Sequence, residues 1–150
     1  MKRILSVAVA VLVAATLSPA VAHASDDFHP DVEYALEAVP GGIALSDTAV
    51  VWPELGMTLT TESTSARAVG NCATGTYCAY SGSGMSGSKL TFTICTNVNT
   101  SALRSVGSIA NGRSSGLVRA RNSAATVLGT AGPNSSTDVG TGTTNLLCTL

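Results

Sequence analysis

Short apolar and polar alternations, punctuated by Gly, Ser, Thr and Asn, run through the chain from residue 76 onward. No helical period is sustained in this half, and Asn111-Gly112 is a strong turn signal. Strands are predicted over 76–80, 90–94, 105–110, 117–121, 126–128 and 146–147. Many short strands with regular turn signals indicate an antiparallel β-sandwich or barrel.

The chain before residue 61 has a different pattern. Residues 31–39 place apolar side chains at helical spacing, with Asp31 as the expected N-cap, and Pro40 to Gly42 end the helix. Three strands follow, predicted over 43–45, 49–52 and 57–61. Trp52 is the only tryptophan and is expected to pack in the core of this region.

The N-terminus has the pattern of a secretory signal peptide. Lys2 and Arg3 precede an apolar run from Ile4 to Leu17, and Ala22 to Ala24 gives a small-residue cleavage site. A membrane anchor is the alternative, but the run is too short for the hydrocarbon core, which is about 30 Å thick. We therefore expect a soluble, secreted, extracellular mature protein that begins near Ser25 and is not bound to a membrane.

Charge divides the mature chain in two. Residues 25–66 contain eight acidic residues and no basic one, whereas residues 67–150 contain six basic residues and one acidic residue. The predicted domains are thus a signal peptide over 1–24, an acidic helix and β segment over 25–66, and a β-domain over 67–150, with the boundary between Thr61 and Val69. The acidic segment is hypothesised to be a pro-region or an intramolecular partner of the basic one, and simple drift of a solvated surface is the alternative.

The mature chain contains four cysteines: Cys72, Cys78, Cys95 and Cys148. An even number in a small secreted protein predicts two disulfides, and the spacing does not match paired zinc knuckles. The pairing stays open. An antiparallel hairpin near Tyr80 would bring Cys72 towards Cys95 and leave Cys78 with Cys148, while a local Cys72–Cys78 bridge is equally consistent with the sequence.

Catalytic groups are sparse in this sequence. Beyond the signal peptide there is one histidine, His29, and the carboxylates concentrate in the acidic segment, so we expect no enzyme activity, no cofactor and no metal site. Arg119 and Arg121 share one face of a predicted strand and, with Arg113, could form a basic patch for an anionic wall polymer or for the acidic segment. The negative net charge of the mature chain argues against nucleic acid as a partner.

The segment from Cys72 to Cys95 resembles the opening Greek-key motif of the βγ-crystallin fold. Its signature is Tyr80, four residues, Met85, one residue, and Gly87, with Met85 where such motifs usually carry an aromatic residue. The chain as a whole resembles a secreted actinobacterial peptidase inhibitor family related to the Streptomyces metalloproteinase inhibitor. The features that carry this resemblance are, in order, Pro40 to Gly42, Trp52, the cysteine spacing and residues 108–111. The resemblance implies a βγ-crystallin-like antiparallel Greek-key sandwich, here preceded by a short helix plus a small β segment.

The same resemblance implies inhibition of a secreted zinc metalloprotease, and we expect the protein to be a monomer. An inhibitory loop should be exposed, disulfide-held and rigid, because rigidity lowers the cost of ordering on binding. The segment after Cys95 fits this description, and residues 81–88 form a second candidate. The protease-contact residues are predicted to be Thr96, Asn97, Val98 and Asn99. The alternative function is a non-catalytic cell-wall or carbohydrate-binding, antimicrobial-type module.

Calcium binding, common in βγ-crystallin motifs, is not expected in the first motif. Calcium needs several oxygen ligands, including carboxylates. Leu103 and Arg104 stand where acidic or amide residues would be needed, and the guanidinium of Arg104 would repel the ion.

Overall fold

Eleven strands and one α-helix make up the protein in a computed structural model that describes residues 28–61 and 72–150. The predicted signal peptide and domain boundary lie outside these residues. The helix α1 spans Pro30–Ala38. The strands are β1 Ile43–Ser46, β2 Ala49–Trp52, β3 Met57–Thr60, β4 Tyr77–Tyr80, β5 Lys89–Phe92, β6 Asn97–Asn99, β7 Ser108–Asn111, β8 Leu117–Arg121, β9 Val127–Ala131, β10 Ser135–Asp138 and β11 Asn145–Thr149. No helix in the described ranges is long and apolar enough to cross a bilayer.

Two antiparallel sheets form a sandwich, which confirms the predicted mainly β fold. The seven-stranded sheet has the order β1-β2-β3-β5-β4-β7-β10, and the four-stranded sheet has the order β6-β11-β8-β9. The four strands β4 to β7 give three strands to the large sheet and their third strand, β6, to the small one. The strands β8 to β11 do the converse, because their third strand, β10, joins the large sheet.

The core lies between the inner faces of the two sheets. Alternate residues of each strand point into it, as expected for the two-residue period of a strand. From the large sheet these include Trp52, Leu59, Tyr77, Leu90, Phe92 and Ile109, and from the small sheet Val118, Ala120, Leu146 and Ala131. A second, smaller cluster of Cys72, Cys78, Tyr80 and Ala110 lies on the opposite face of the large sheet.

Helix α1 covers the part of the large sheet that the small sheet leaves open. Its buried residues Val32 and Ala35 belong to the main core, and the helix contacts β2 and β3. The helix begins with Pro30 at its first position, which suits the fixed φ of proline. His29, not Asp31 as predicted, is the N-cap, because its side chain accepts a hydrogen bond from the backbone N–H of Asp31 at 3.2 Å.

The acidic segment is joined to the rest of the described chain by backbone and side-chain contacts. Strand β3 pairs with β5, so the first three strands extend the same large sheet. Arg104 lies 3.6 Å from the carboxylate of Asp31 and 4.3 Å from the centre of the Tyr34 ring. Within the described residues, Arg104 thus joins the acidic and basic parts through both an ion pair and a ring contact.

Two disulfides are present, Cys72–Cys78 and Cys95–Cys148. The hairpin-based pairing of Cys72 with Cys95 is therefore wrong, and the local alternative is the one observed. The reason is a turn before β4, where the N–H of Thr76 donates to the carbonyl of Ala73. This turn folds Cys72 back onto Cys78 before the hairpin begins.

Several strand limits differ from the predictions. Strand β5 ends at Phe92, so Ile94 is 52% exposed and does not continue the apolar face of Leu90 and Phe92. Residues 105–107 precede β7 and are not part of it. Strands β6 and β10 were not predicted, because Asn, Ser and Thr dominate both segments.

Candidate functional site

The segment Thr96–Asn99, predicted as an exposed loop, contains an edge strand. Residues Asn97 to Asn99 form β6 and pair with β11, with Val98 opposite Leu146. Val98 also packs against the core. Tertiary pairing thus overrides the turn preference of the two asparagines, since strand formation depends strongly on context.

The outer edge of β6 has no neighbouring strand in the described structure. The N–H of Cys148 donates to the carbonyl of Thr96, and the N–H of Thr100 donates to the carbonyl of Thr144. Because backbone groups alternate in direction along an antiparallel strand, Asn97 and Asn99 direct their N–H and C=O groups away from β11. The exposed edge therefore offers unpaired backbone donors and acceptors.

The start of β6 is fixed from two sides. The Cys95–Cys148 disulfide links the residue before this segment to β11. The Tyr77 hydroxyl donates to the carbonyl of Ile94 at 2.9 Å and lies 3.4 Å from the carbonyl of Thr96. Burial raises the pKa of Tyr77, while the contact with Thr96 and the charge of Arg113 act in the opposite direction.

A groove of about 460 Å³ lies beside the open edge of β6. One wall is formed by Ala38 at the end of helix α1 and by Val39 and Pro40 after it, and the other wall is β6. Buried Met57 and Phe92 of the large sheet form its floor. The groove is thus the gap that the helix and the small sheet leave in the second layer of the sandwich.

The rim of the groove is apolar with one charge. Leu55 and Ile94 are 48% and 52% exposed. Glu54 is the one charged residue among the described residues that line the groove. Sequence reasoning missed this groove because its lining comes from three separate stretches of the chain, residues 38–40, 54–57 and 92–101. Ile94 was already visible as an apolar residue next to Cys95.

The outer face of the small sheet is polar. Register places Arg119 and Arg121 on the same face as Asn97, Asn99 and Asn145. Arg121 donates to the side-chain oxygen of Asn145 at 3.0 Å and to that of Asn97 at 2.9 Å. The predicted shared face of Arg119 and Arg121 is confirmed.

Arg113 does not join the two arginines of the outer face. Its guanidinium contacts the sulfur of Cys148 at 2.8 Å, and Cys148 is packed in the core. The three-arginine patch is therefore wrong, because neighbouring residues of β11 point to opposite faces of the sheet.

The second candidate loop, residues 81–88, is folded back on its own molecule. The Ser108 hydroxyl accepts from the N–H of Met85 and donates to the carbonyl of Gly82, and the carboxylate of Asp138 accepts from the N–H of Gly84. These contacts hold the loop on β7 and β10. Its binding role stays a prediction.

The motif residues Tyr80, Met85 and Gly87 lie in this folded hairpin. Tyr80 is fully buried, and Met85 and Gly87 have φ angles of 62° and 75°. The left-handed backbone of Gly87 favours glycine, and a Cβ there would also displace the hydroxyl of Ser81.

Within the described residues, His29 and the four cysteines have structural roles. His29 is exposed and caps the helix. All four cysteines are in disulfides, and no group of three His, Cys, Asp or Glu side chains in the described ranges is placed to hold a metal ion.

The fold and this surface define a disulfide-linked β-sandwich with an open strand edge beside an apolar groove. Comparison of the chain with protein-family models, with curated proteins and with solved structures finds no match.

Proposed function

We propose that this protein is a secreted, non-catalytic inhibitor of an extracellular zinc metalloprotease. The observation that carries the proposal is the extended segment Thr96–Asn99, exposed at a sheet edge and held by the Cys95–Cys148 disulfide. Proteases bind their substrates as extended chains, and a segment already held extended loses little conformational entropy on binding. The two disulfides suit an extracellular location.

The strand order supports the βγ-crystallin-like part of the proposal. Two consecutive groups of four strands, β4 to β7 and β8 to β11, each give their third strand to the other sheet, as expected for a pair of Greek keys. A hairpin folded over a buried tyrosine opens the first of them. The partner of the proposed inhibitor is a protease, and neither a cofactor nor a metal ion is needed for binding it.

The test is an inhibition panel with purified residues 25–150. Thermolysin-type proteases are expected to lose activity at near-equimolar inhibitor, and trypsin-type serine proteases serve as the comparison class. Replacing both Cys95 and Cys148 by serine should weaken inhibition, whereas the same change at Cys72 and Cys78, on the other face of the large sheet, should weaken it less. No inhibition of metalloproteases at micromolar excess would exclude the proposal for that class.

A second candidate function is binding of a carbohydrate or an anionic wall polymer. The observation that favours it is the hydrogen-bonded set of Arg121, Asn145 and Asn97 on the outer face of the small sheet. Pull-down on chitin and peptidoglycan, with the intact protein and with Arg119 and Arg121 replaced by alanine, separates this function from inhibition. Retention that depends on these two arginines, without protease inhibition, would favour the second candidate.

A further inference from the structure

The second layer of the sandwich is interrupted between helix α1 and β6. The gap is lined by backbone and side chains of the helix end, by β6, and by the large sheet below. Its volume of about 460 Å³ lies within the range of ligand sites, roughly 300–1,000 Å³. A strand placed there would fill the layer.

Hydrogen bonding selects an extended backbone as the occupant. Asn97 and Asn99 direct their N–H and C=O groups into the open side, whereas Val98 pairs with β11. An incoming strand can satisfy these groups as a fifth strand of the small sheet. Strand addition of this kind obtains affinity from the main chain and specificity from alternate side-chain pockets.

The charges around the groove indicate which side chains that strand should carry. Glu54 is the one charge on the described lining. The last turn of α1 has no basic residue, and the C-terminal end of a helix carries partial negative charge. Arg121, the nearest basic residue of the small sheet to β6, is already held by Asn97 and Asn145. The field in the groove therefore favours a basic side chain among apolar ones.

We propose that the groove receives an extended segment of the partner protein, which pairs with the open edge of β6 and places apolar side chains on the floor and one Lys or Arg beside Glu54. The inference rests on the proposed function for the nature of the partner, because that partner is the protease. A second copy of this chain would bring its own Glu54 to the groove instead of a cation.

The first test uses peptides and leaves the protein unchanged. The probe is a fluorescein-labelled, acetylated and amidated hexapeptide of valine and threonine with one lysine, and its binding is followed by anisotropy. Two further peptides carry N-methyl groups on alternate residues, one peptide at the odd-numbered positions and the other at the even-numbered positions. Because strand pairing has a period of two, one methylated register should abolish binding and the other should preserve it.

The second test changes the strand edge. Asn97→Pro removes an N–H that faces outward and leaves the pairing with β11 intact, and proline is tolerated at such edge positions. Asn97→Ala is the matched control, because it also loses the contact with Arg121 but keeps the N–H. We expect the proline variant to bind the lysine peptide about fivefold to tenfold more weakly than the alanine variant. This is the effect of losing one hydrogen bond between the peptide and β6.

The third test changes the charge. Glu54→Gln should reduce the preference for the lysine peptide over its glutamate analogue about twofold to fivefold, the effect of an exposed ion pair. Glu33→Gln, an equal change on the exposed side of α1 outside the groove, should not alter that preference.

Each outcome decides the inference. Selective binding with register-dependent methylation supports strand addition. No binding at millimolar peptide, equal binding of both methylated registers, or a dimer that Asn97→Pro dissociates would overturn it. Protease inhibition without peptide binding would leave the proposed function standing and remove this inference. Peptide binding without protease inhibition would support strand addition at β6 and remove the proposed function.

Discussion

Two tyrosines of β4, three residues apart, have opposite hydrogen-bonding environments. The Tyr77 hydroxyl donates to the carbonyl of Ile94, and its ring stacks on Phe92 at 5.1 Å. The Tyr80 hydroxyl is buried and has no partner among the described residues. A buried polar group without a partner costs about 1–3 kcal/mol, so the two hydroxyls contribute to stability with opposite signs.

Phenylalanine substitutions should separate these contributions. Tyr77→Phe is expected to lower the free energy of unfolding by about 1 kcal/mol and to weaken protease inhibition, because it releases the backbone before β6. Tyr80→Phe should leave stability unchanged or raise it, without altering inhibition. Urea unfolding of both variants measures the difference, and a larger loss in Tyr80→Phe would contradict the environments described.

The dependence of stability on alkaline pH provides an independent test of the burial of the Tyr80 hydroxyl. Burial raises its pKa from 10.0 to about 12, so the folded state holds this proton more tightly than the unfolded state does. Ionisation of this buried hydroxyl is unfavourable in the folded state, so the stability of the protein falls as pH rises from about 10 towards 12. Lys89 acts in the opposite direction, because burial lowers its pKa.

The measurement is the free energy of unfolding between pH 9 and 12 for the intact protein and for Tyr80→Phe. Since both retain Lys89 and Tyr77, the difference between the curves isolates Tyr80. We expect the variant to lose less stability with rising pH in this interval. Parallel curves would mean that the two states bind the Tyr80 proton equally.

At the scale of elements, the strands that the sequence located well are those with a buried face. Strands β2, β3 and β8 alternate buried and half-buried residues, and their pattern in the sequence located them well. Strands β6 and β10 are edge strands in which Asn, Ser, Thr and Asp dominate. Their structure depends on pairing with distant residues, which a local pattern does not contain.

The two disulfides should differ in their effect on stability. Cys95–Cys148 spans 53 residues of sequence and Cys72–Cys78 spans 6. In the chain-entropy description, removing the first costs about 4 kcal/mol and removing the second about 2 kcal/mol. Paired serine substitutions, compared by denaturant unfolding at one temperature, test this order. An equal loss would show that loop length does not govern the difference.

At the scale of the whole molecule, the acidic segment supplies part of the large sheet and of the second layer. The charge pattern led to the hypothesis that it interacts with the basic half, with drift of a solvated surface as the alternative. Among the described residues, Asp31 and Arg104 form an ion pair between the two parts. Sequence also identified the disulfide-held segment after Cys95. It could not identify the groove, because that requires the helix, β3, β5 and β6 to be placed together.

A shared sheet and core predict cooperative unfolding. Trp52 reports on the acidic segment, since it is the only tryptophan and is buried against helix α1, where its indole donates to the carbonyl of Val39. Circular dichroism reports on the strands as a whole. Both signals should change at one denaturant concentration. An earlier transition of Trp52 fluorescence would mean that residues 28–61 unfold separately.

The exchange of third strands between the sheets also constrains when the proposed binding segment can form. A chain is synthesised from its N-terminus, so residues 97–99 emerge well before residues 145–149. Strand β6 pairs only with β11 in the described structure, and the disulfide that holds it needs Cys148. Strand β6, and with it the open edge, is therefore held in place only when β11, the last strand, has formed. A chain that lacks residues 145–149 has no partner strand for β6, and the proposed inhibition would require both the folding of β11 and the Cys95–Cys148 disulfide.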